Sequence, residues 1–194
     1  MNPFQAYLQL GWEHILDPKG YDHMLFLVAL LAVYTYRDWK PILILVTAFT
    51  LGHTLTLVLT GLKGPILPGD WVEFLIPLTI LLTVVANLWF AFRSEHATPL
   101  HRRYLLAGFF GLIHGMGFSN FFASLLGRDA AIIKPLFGFN VGIELGQLCF
   151  VALLLLVQFL VLKFTPVTTR IWNLVLSGAA GVVALILLIE KFPL

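Results

Sequence analysis

Apolar residues fall along this chain in long runs cut by short polar connections. Five runs, at about 42–62, 71–92, 104–126, 136–162 and 171–189, are long enough for a helix to cross about 30 Å of hydrocarbon, which takes roughly 20 residues. A further run at about 21–36 has barely sixteen residues and opens on Asp22 and His23. Its polar start is expected to be drawn inward, with both side chains facing protein rather than lipid. Residues 3–16 mix Phe4, Tyr7, Leu8, Leu10, Trp12 and Ile15 with Gln5, Gln9, Glu13 and His14. That stretch is too short and too polar to span, and predicts an interfacial or re-entrant helix ended by the Asp17-Pro18-Lys19-Gly20 turn. The fold expected is all-α: one polytopic membrane helix bundle over 1–194, with about six transmembrane helices and a short N-terminal helix before them.

Composition supports that class. The 194 residues are 59% hydrophobic and only 11% charged, with mean hydropathy +0.92, where soluble domains hold roughly 45–50% apolar residues. A net charge of +2, with basic residues scattered singly or in pairs, excludes a nucleic-acid partner. The single cysteine, Cys149, sits in an apolar run and reads as a small buried hydrophobe without a disulfide partner. The first residues lack the basic region and short apolar core of a removable signal peptide, so the helices themselves are expected to direct insertion.

With six spans, both termini share a side with the loops at 63–70 and 127–135. The opposite loops carry Arg37, Lys40, Arg93, Arg102, Arg103, Lys163 and Arg170, against Lys19, Lys63, Arg128, Lys134 and Lys191 on the terminal side. This bias places the termini outside and the loops at 37–41, 93–103 and 163–170 in the cytoplasm. His96 and His101 belong to the polar connection and are expected to be solvated; Asp70 and Glu73 read as acids at the membrane edge.

The chemistry gathers elsewhere. His14, Asp17, Asp22 and His23 fall within ten residues. At a rise of about 1.5 Å per residue, His53 lies roughly 18 Å and His114 roughly 15 Å from the cytoplasmic end of their helices. Glu144 falls near the middle of its own. In that run Asn140, Glu144 and Gln147 recur at i, i+4 and i+7 on one stripe, while Gly138, Gly142 and Gly146 form another about 160° away. The glycines suit a close helix neighbour, or a second copy of the chain; the polar stripe suits a cavity. Thr50 in the second span, and Thr83 and Asn87 four residues apart in the third, are candidates to line a path. Imidazoles and carboxylates from separate helices are the donor set of a divalent transition-metal site. The expected ligands are His14, Asp22, His23, His53, His114 and Glu144, with Asp17, Asn87, Asn140, Gln147, Thr50 and Thr83 along the path or behind the ligands. The glycines around His114 follow no strand and read as packing rather than a nucleotide loop.

These residues resemble the HupE/UreJ family of small bacterial membrane proteins. The likeness rests on His14-Ile15-Leu16 through Gly20-Tyr21-Asp22-His23, on Phe49-Thr50-Leu51-Gly52-His53-Thr54, on the run from Phe110 to Phe118 around His114, and on the run from Phe139 to Gln147 around Glu144. Together they touch four of the six spans. The resemblance implies a nickel or cobalt permease of the bacterial inner membrane, with a divalent transition metal as its ion and zinc as a further possibility.

Two functions compete. The first is a metal-binding protein or permease with its site in the outer half of the bilayer. The second is an intramembrane zinc hydrolase using the same cluster, with Asp22 or Glu144 as general base. Ser119 as a nucleophile is a weaker route, since the position serves equally well for helix packing.

Overall fold

The computed structural model describes residues 2–18, 20–93, 99–126 and 133–193. His96, Arg128 and Asp129 lie outside the described residues. Seven α-helices follow one another: α1 (Pro3–Leu16), α2 (Asp22–Leu31), α3 (Trp39–Lys63), α4 (Gly69–Arg93), α5 (Leu100–Leu126), α6 (Ile133–Phe164) and α7 (Thr169–Glu190), with a 3₁₀ turn at Tyr36–Asp38 and no strand among the described residues. Four helical stretches are long and apolar enough to cross a membrane: Tyr36–Lys63, Gly69–Phe92, Ile133–Phe164 and Thr169–Glu190. α5, with 27 residues, has the length too, although its apolar run is diluted by glycines and His114.

The region expected as a first span departs from a spanning helix. α2 stops at Leu31 after ten residues, about 15 Å of rise, and the chain continues through Tyr34 into the 3₁₀ turn. α1 supplies the missing length. It starts on a capping box, in which the Asn2 side chain accepts from Phe4 N–H and Gln5 reaches back to the Asn2 N–H, with Pro3 in the first turn. It then runs parallel to α6: Gly138 meets the carbonyl of Phe4, Gly142 that of Leu8, and Gly146 the side chain of Ile15. At Gly142 an added Cβ would collide with the Leu8 carbonyl oxygen, and at Gly11 with that of Phe139, so the two backbones touch only because both positions lack a side chain. α1 and α2 are thus two half-helices in succession, broken at 17–21 beside the middle of α6, an arrangement tolerated at membrane depth where protein surrounds the irregular backbone. The N-terminal helix, expected as a separate interfacial or re-entrant element, instead packs along α6 and continues through the break into α2.

The remaining helices pair in the same way. α3 and α5 lie parallel in close contact, with Gly111 against the Phe49 carbonyl and Gly115 against that of His53. α4 and α7 are antiparallel, joined at one end by Phe74 and Phe192, ring centroids 5.5 Å apart, and farther along by Val84 against Gly181. α2 is the central post of these three pairs and buries His23, Phe26, Leu27, Ala29 and Leu31. The glycine stripe of α6 is therefore filled by α1 of the same chain and is not open to a second copy. Cys149 is exposed on the outer face of α6, correcting the expectation of a buried thiol. From Leu148 to Val157 the helix is apolar on every side, so this stretch gives no sequence signal for which face meets lipid.

The polar stripe of α6 faces threonines of α3 rather than an open cavity. Thr47 donates to Glu144 Oε1 at 2.6 Å, Thr50 to Gln147 Oε1 at 2.8 Å, and the Thr54 hydroxyl lies 2.5 Å from Asn140 Oδ1. A second polar knot ties α2, α4 and α7: Asn87 donates to the Ala29 carbonyl at 2.7 Å and to Ser177 at 3.3 Å, and Ser177 donates to Asn173 at 2.8 Å. Asn87 is thus committed to holding helices together.

Candidate metal centre

Four imidazoles meet where the half-helices break. His14 ends α1, His23 begins α2, His53 lies midway along α3, and His114 midway along α5. Each position follows from local structure: the Asp17-Pro18 step ends α1 at Leu16, two residues after His14, and the glycine contacts of α3 with α5 bring His53 and His114 to one level. One donor atom from each of His14, His23 and His53 lies within 4.8 Å of the others. In a tetrahedral site with bonds of about 2.05 Å the donors stand about 3.4 Å apart, so closure on an ion takes side-chain shifts below about 1 Å. The His114 ring centroid is 5.3 Å from that of His23, on the side where His114 also meets Phe26 and Phe49 at 5.0 and 5.1 Å.

Hydrogen bonds fix how the rings present themselves. His23 Nδ1 donates to Asp22 Oδ1 at 2.9 Å, and the same oxygen accepts the His23 backbone N–H at 2.8 Å. His114 Nδ1 donates to the Phe110 carbonyl at 2.9 Å. In both rings the proton is held at Nδ1 and the lone pair at Nε2 is left for something else. Nε2 of His14, His23 and His114, and both ring nitrogens of His53, are buried with no protein partner. Leaving such groups unmet costs about 1–3 kcal/mol each, and a divalent ion bound by neutral imidazoles removes that cost. The donor set therefore fits a borderline transition metal. An outer carboxylate that orients a ligating histidine is also usual at such centres.

The expected carboxylate ligands are placed otherwise. Asp22 stands behind His23 and outside the group of converging donors. Glu144 is absent from that group as well, its Oε1 engaged by Thr47 in the seam between α3 and α6; Gln147, Thr50 and Asn140 occupy the same seam. Spacing put Glu144 at the right depth but did not say which neighbour it faces. Ser119 donates to the Met116 carbonyl at 2.8 Å within its own helix, a packing role. His101 is exposed at the start of α5.

Two cavities approach the imidazoles from different sides. One, of about 650 Å³, is bounded by Trp12, Glu13, His14, Asp17 and Phe118. The other, of about 300 Å³, reaches Asp22. On the far side Phe26, Phe49 and Phe110 pack together, Phe26 and Phe49 stacked at 4.9 Å, and separate His114 from a third cavity of about 340 Å³ whose wall includes Thr83, Asn87 and Arg103. Sequence patterning missed this aromatic layer, because three phenylalanines on three helices share no spacing. It also missed Asn173 and Ser177, which lie within the apolar run at about 171–189.

An apolar helical bundle, a broken helix at its centre and converging unpartnered imidazoles define a polytopic membrane protein with a candidate metal site. The chain matches the HupE / UreJ protein family over residues 1–191 and belongs to it. No curated protein and no solved structure matches the chain.

Proposed function

We propose that this protein is a permease for a divalent transition-metal ion, of the nickel or cobalt type that the family resemblance implies, in the bacterial inner membrane with both termini outside. The carrying observation is the convergence of His14, His23 and His53 with buried, unpartnered ring nitrogens. In this reading the three imidazoles receive the ion and Asp22 orients His23. His114 is the next ligand inward, beneath which Phe26, Phe49 and Phe110 close the path in the present conformation. Imidazole ligands suit a cargo that must be released, since they add no charge to hold it.

The hydrolase reading needs a free base beside bound water. Asp22 is engaged with His23, and Glu144, whose Oε1 accepts from Thr47 and whose Oε2 is buried without a partner, is not among the converging donors, which favours the permease. The test is metal analysis of the purified protein together with Ni²⁺ and Co²⁺ uptake into proteoliposomes. Saturable uptake lost in His53→Ala is the expected result. Tightly retained zinc without flux would overturn it.

A further inference from the structure

The 300 Å³ cavity on the Asp22 side has chemistry that the metal centre alone does not require. Its wall joins three parts of the fold: Tyr21 and Asp22 at the helix break, Glu73 and Pro77 on α4, and Lys191 just beyond α7. At its outer end Glu73 Oε2 and Lys191 Nζ are 2.6 Å apart, with both side chains about half exposed, at 55% and 46%. At its inner end stands the carboxylate that holds His23. Glu73 and Pro77 are four residues apart and so share a face of α4. Because Pro77 lies inside the helix and has no N–H, the carbonyl of Glu73 receives no helical hydrogen bond. The cavity thus offers the carboxylates of Asp22 and Glu73, a hard-donor lining quite unlike the all-nitrogen centre beside it. Its volume equals about ten waters at roughly 30 Å³ each, enough for an ion with its first hydration shell.

The geometry points to a loading site for a hydrated divalent cation in this cavity, with Glu73 as its outer carboxylate and Lys191 as the resident positive charge that the arriving ion displaces on its way to His23. This assignment rests on the metal-centre reading above and adds to it a place where the ion is gathered while still hydrated. Oxygen ligands suit that stage, because they exchange with water more readily than the imidazoles that take the ion once its shell is shed. The ammonium of Lys191 keeps the carboxylate occupied until a doubly charged competitor arrives.

The test uses the full chain in detergent and follows the rate at which Co²⁺ reaches the imidazoles through the visible absorption of the bound ion. Glu73→Gln is expected to slow loading about tenfold while leaving final occupancy unchanged, in line with the 10- to 10³-fold range of electrostatic steering. Lys191→Gln is expected to hasten loading, a change of sign that a folding defect does not produce. Loading at the wild-type rate in both variants would overturn the assignment. So would slow loading in Glu13→Gln and Asp17→Asn with Glu73→Gln unaffected, which moves the access route to the His14 side. Wild-type protein that takes up no Co²⁺ overturns the metal centre itself, a failure distinct from the other two.

Discussion

A single oxygen of Asp22 accepts both the Nδ1–H of His23 at 2.9 Å and the backbone N–H of the same residue at 2.8 Å. One carboxylate therefore fixes the ring of a proposed metal ligand and the first turn of the helix that carries it, with the positive end of the α2 dipole favouring its charge. Asp22→Asn keeps the size and one acceptor but removes the charge. Metal affinity is expected to fall about 10- to 100-fold, the usual effect of losing an outer-shell partner. Isothermal titration with Ni²⁺ or Co²⁺ measures it, and unchanged affinity counts against His23 as a ligand.

His53 and Glu144 are expected to part company. His53→Ala removes a fully buried imidazole from the converging donors and should abolish stoichiometric binding. Glu144→Gln, in the seam with Thr47, should leave the stoichiometry intact. Metal analysis of both purified variants checks this, and loss of metal in Glu144→Gln would return that carboxylate to the centre.

Closeness of α1 to α6 rests on positions without side chains. Gly142→Leu would push four carbons into the Leu8 carbonyl and Trp12 backbone and should displace α1 rather than be absorbed. Overpacking of this kind costs typically about 1–3 kcal/mol, more where backbone is struck. Thermal unfolding should shift downward and, because His14 ends α1, metal affinity should fall with it. The same change at Gly178, with nothing near its added Cβ, is the control.

The Glu73 carboxylate holds the Lys191 ammonium above the ordinary lysine pKa. A raised pKa means the contact stabilises the fold fully below the unfolded value, about 10.4, and is lost as pH climbs through the folded one. The pair should therefore persist unchanged from pH 6 to 9 and open only in strong alkali. Cross-linking of Glu73→Cys with Lys191→Cys cannot report this, but the reactivity of Lys191 toward an amine reagent across pH can.

Much of the fold was legible because a spanning helix leaves a long apolar run, and five such runs match α3 to α7 within a few residues. His14, His23 and His53 were legible as candidates because an imidazole in or beside such a run stands out. Which partners they find was not. The first run looked like a short span because Met24 to Val33 is apolar throughout, and nothing in that run marks the helix end at Leu31. Glu144 and Asn140 were read as facing a cavity, since a stripe gives a direction around its own helix but not the neighbour it meets. The Glu73–Lys191 contact joins residues 118 positions apart and has no local signature at all.

The break between α1 and α2 makes the spacing of two proposed ligands, His14 and His23, a property of a turn rather than of a helix. Within a continuous helix the separation of His14 from His23 would be fixed by the pitch. Here it follows the bend at 17–21, where the Gly20 N–H closes on the Asp17 carbonyl at 3.1 Å. Swinging one half-helix by a few degrees opens or narrows the bite of the imidazoles, so the grip on an ion becomes a mechanical variable, set by leverage along α1 from as far away as Phe4.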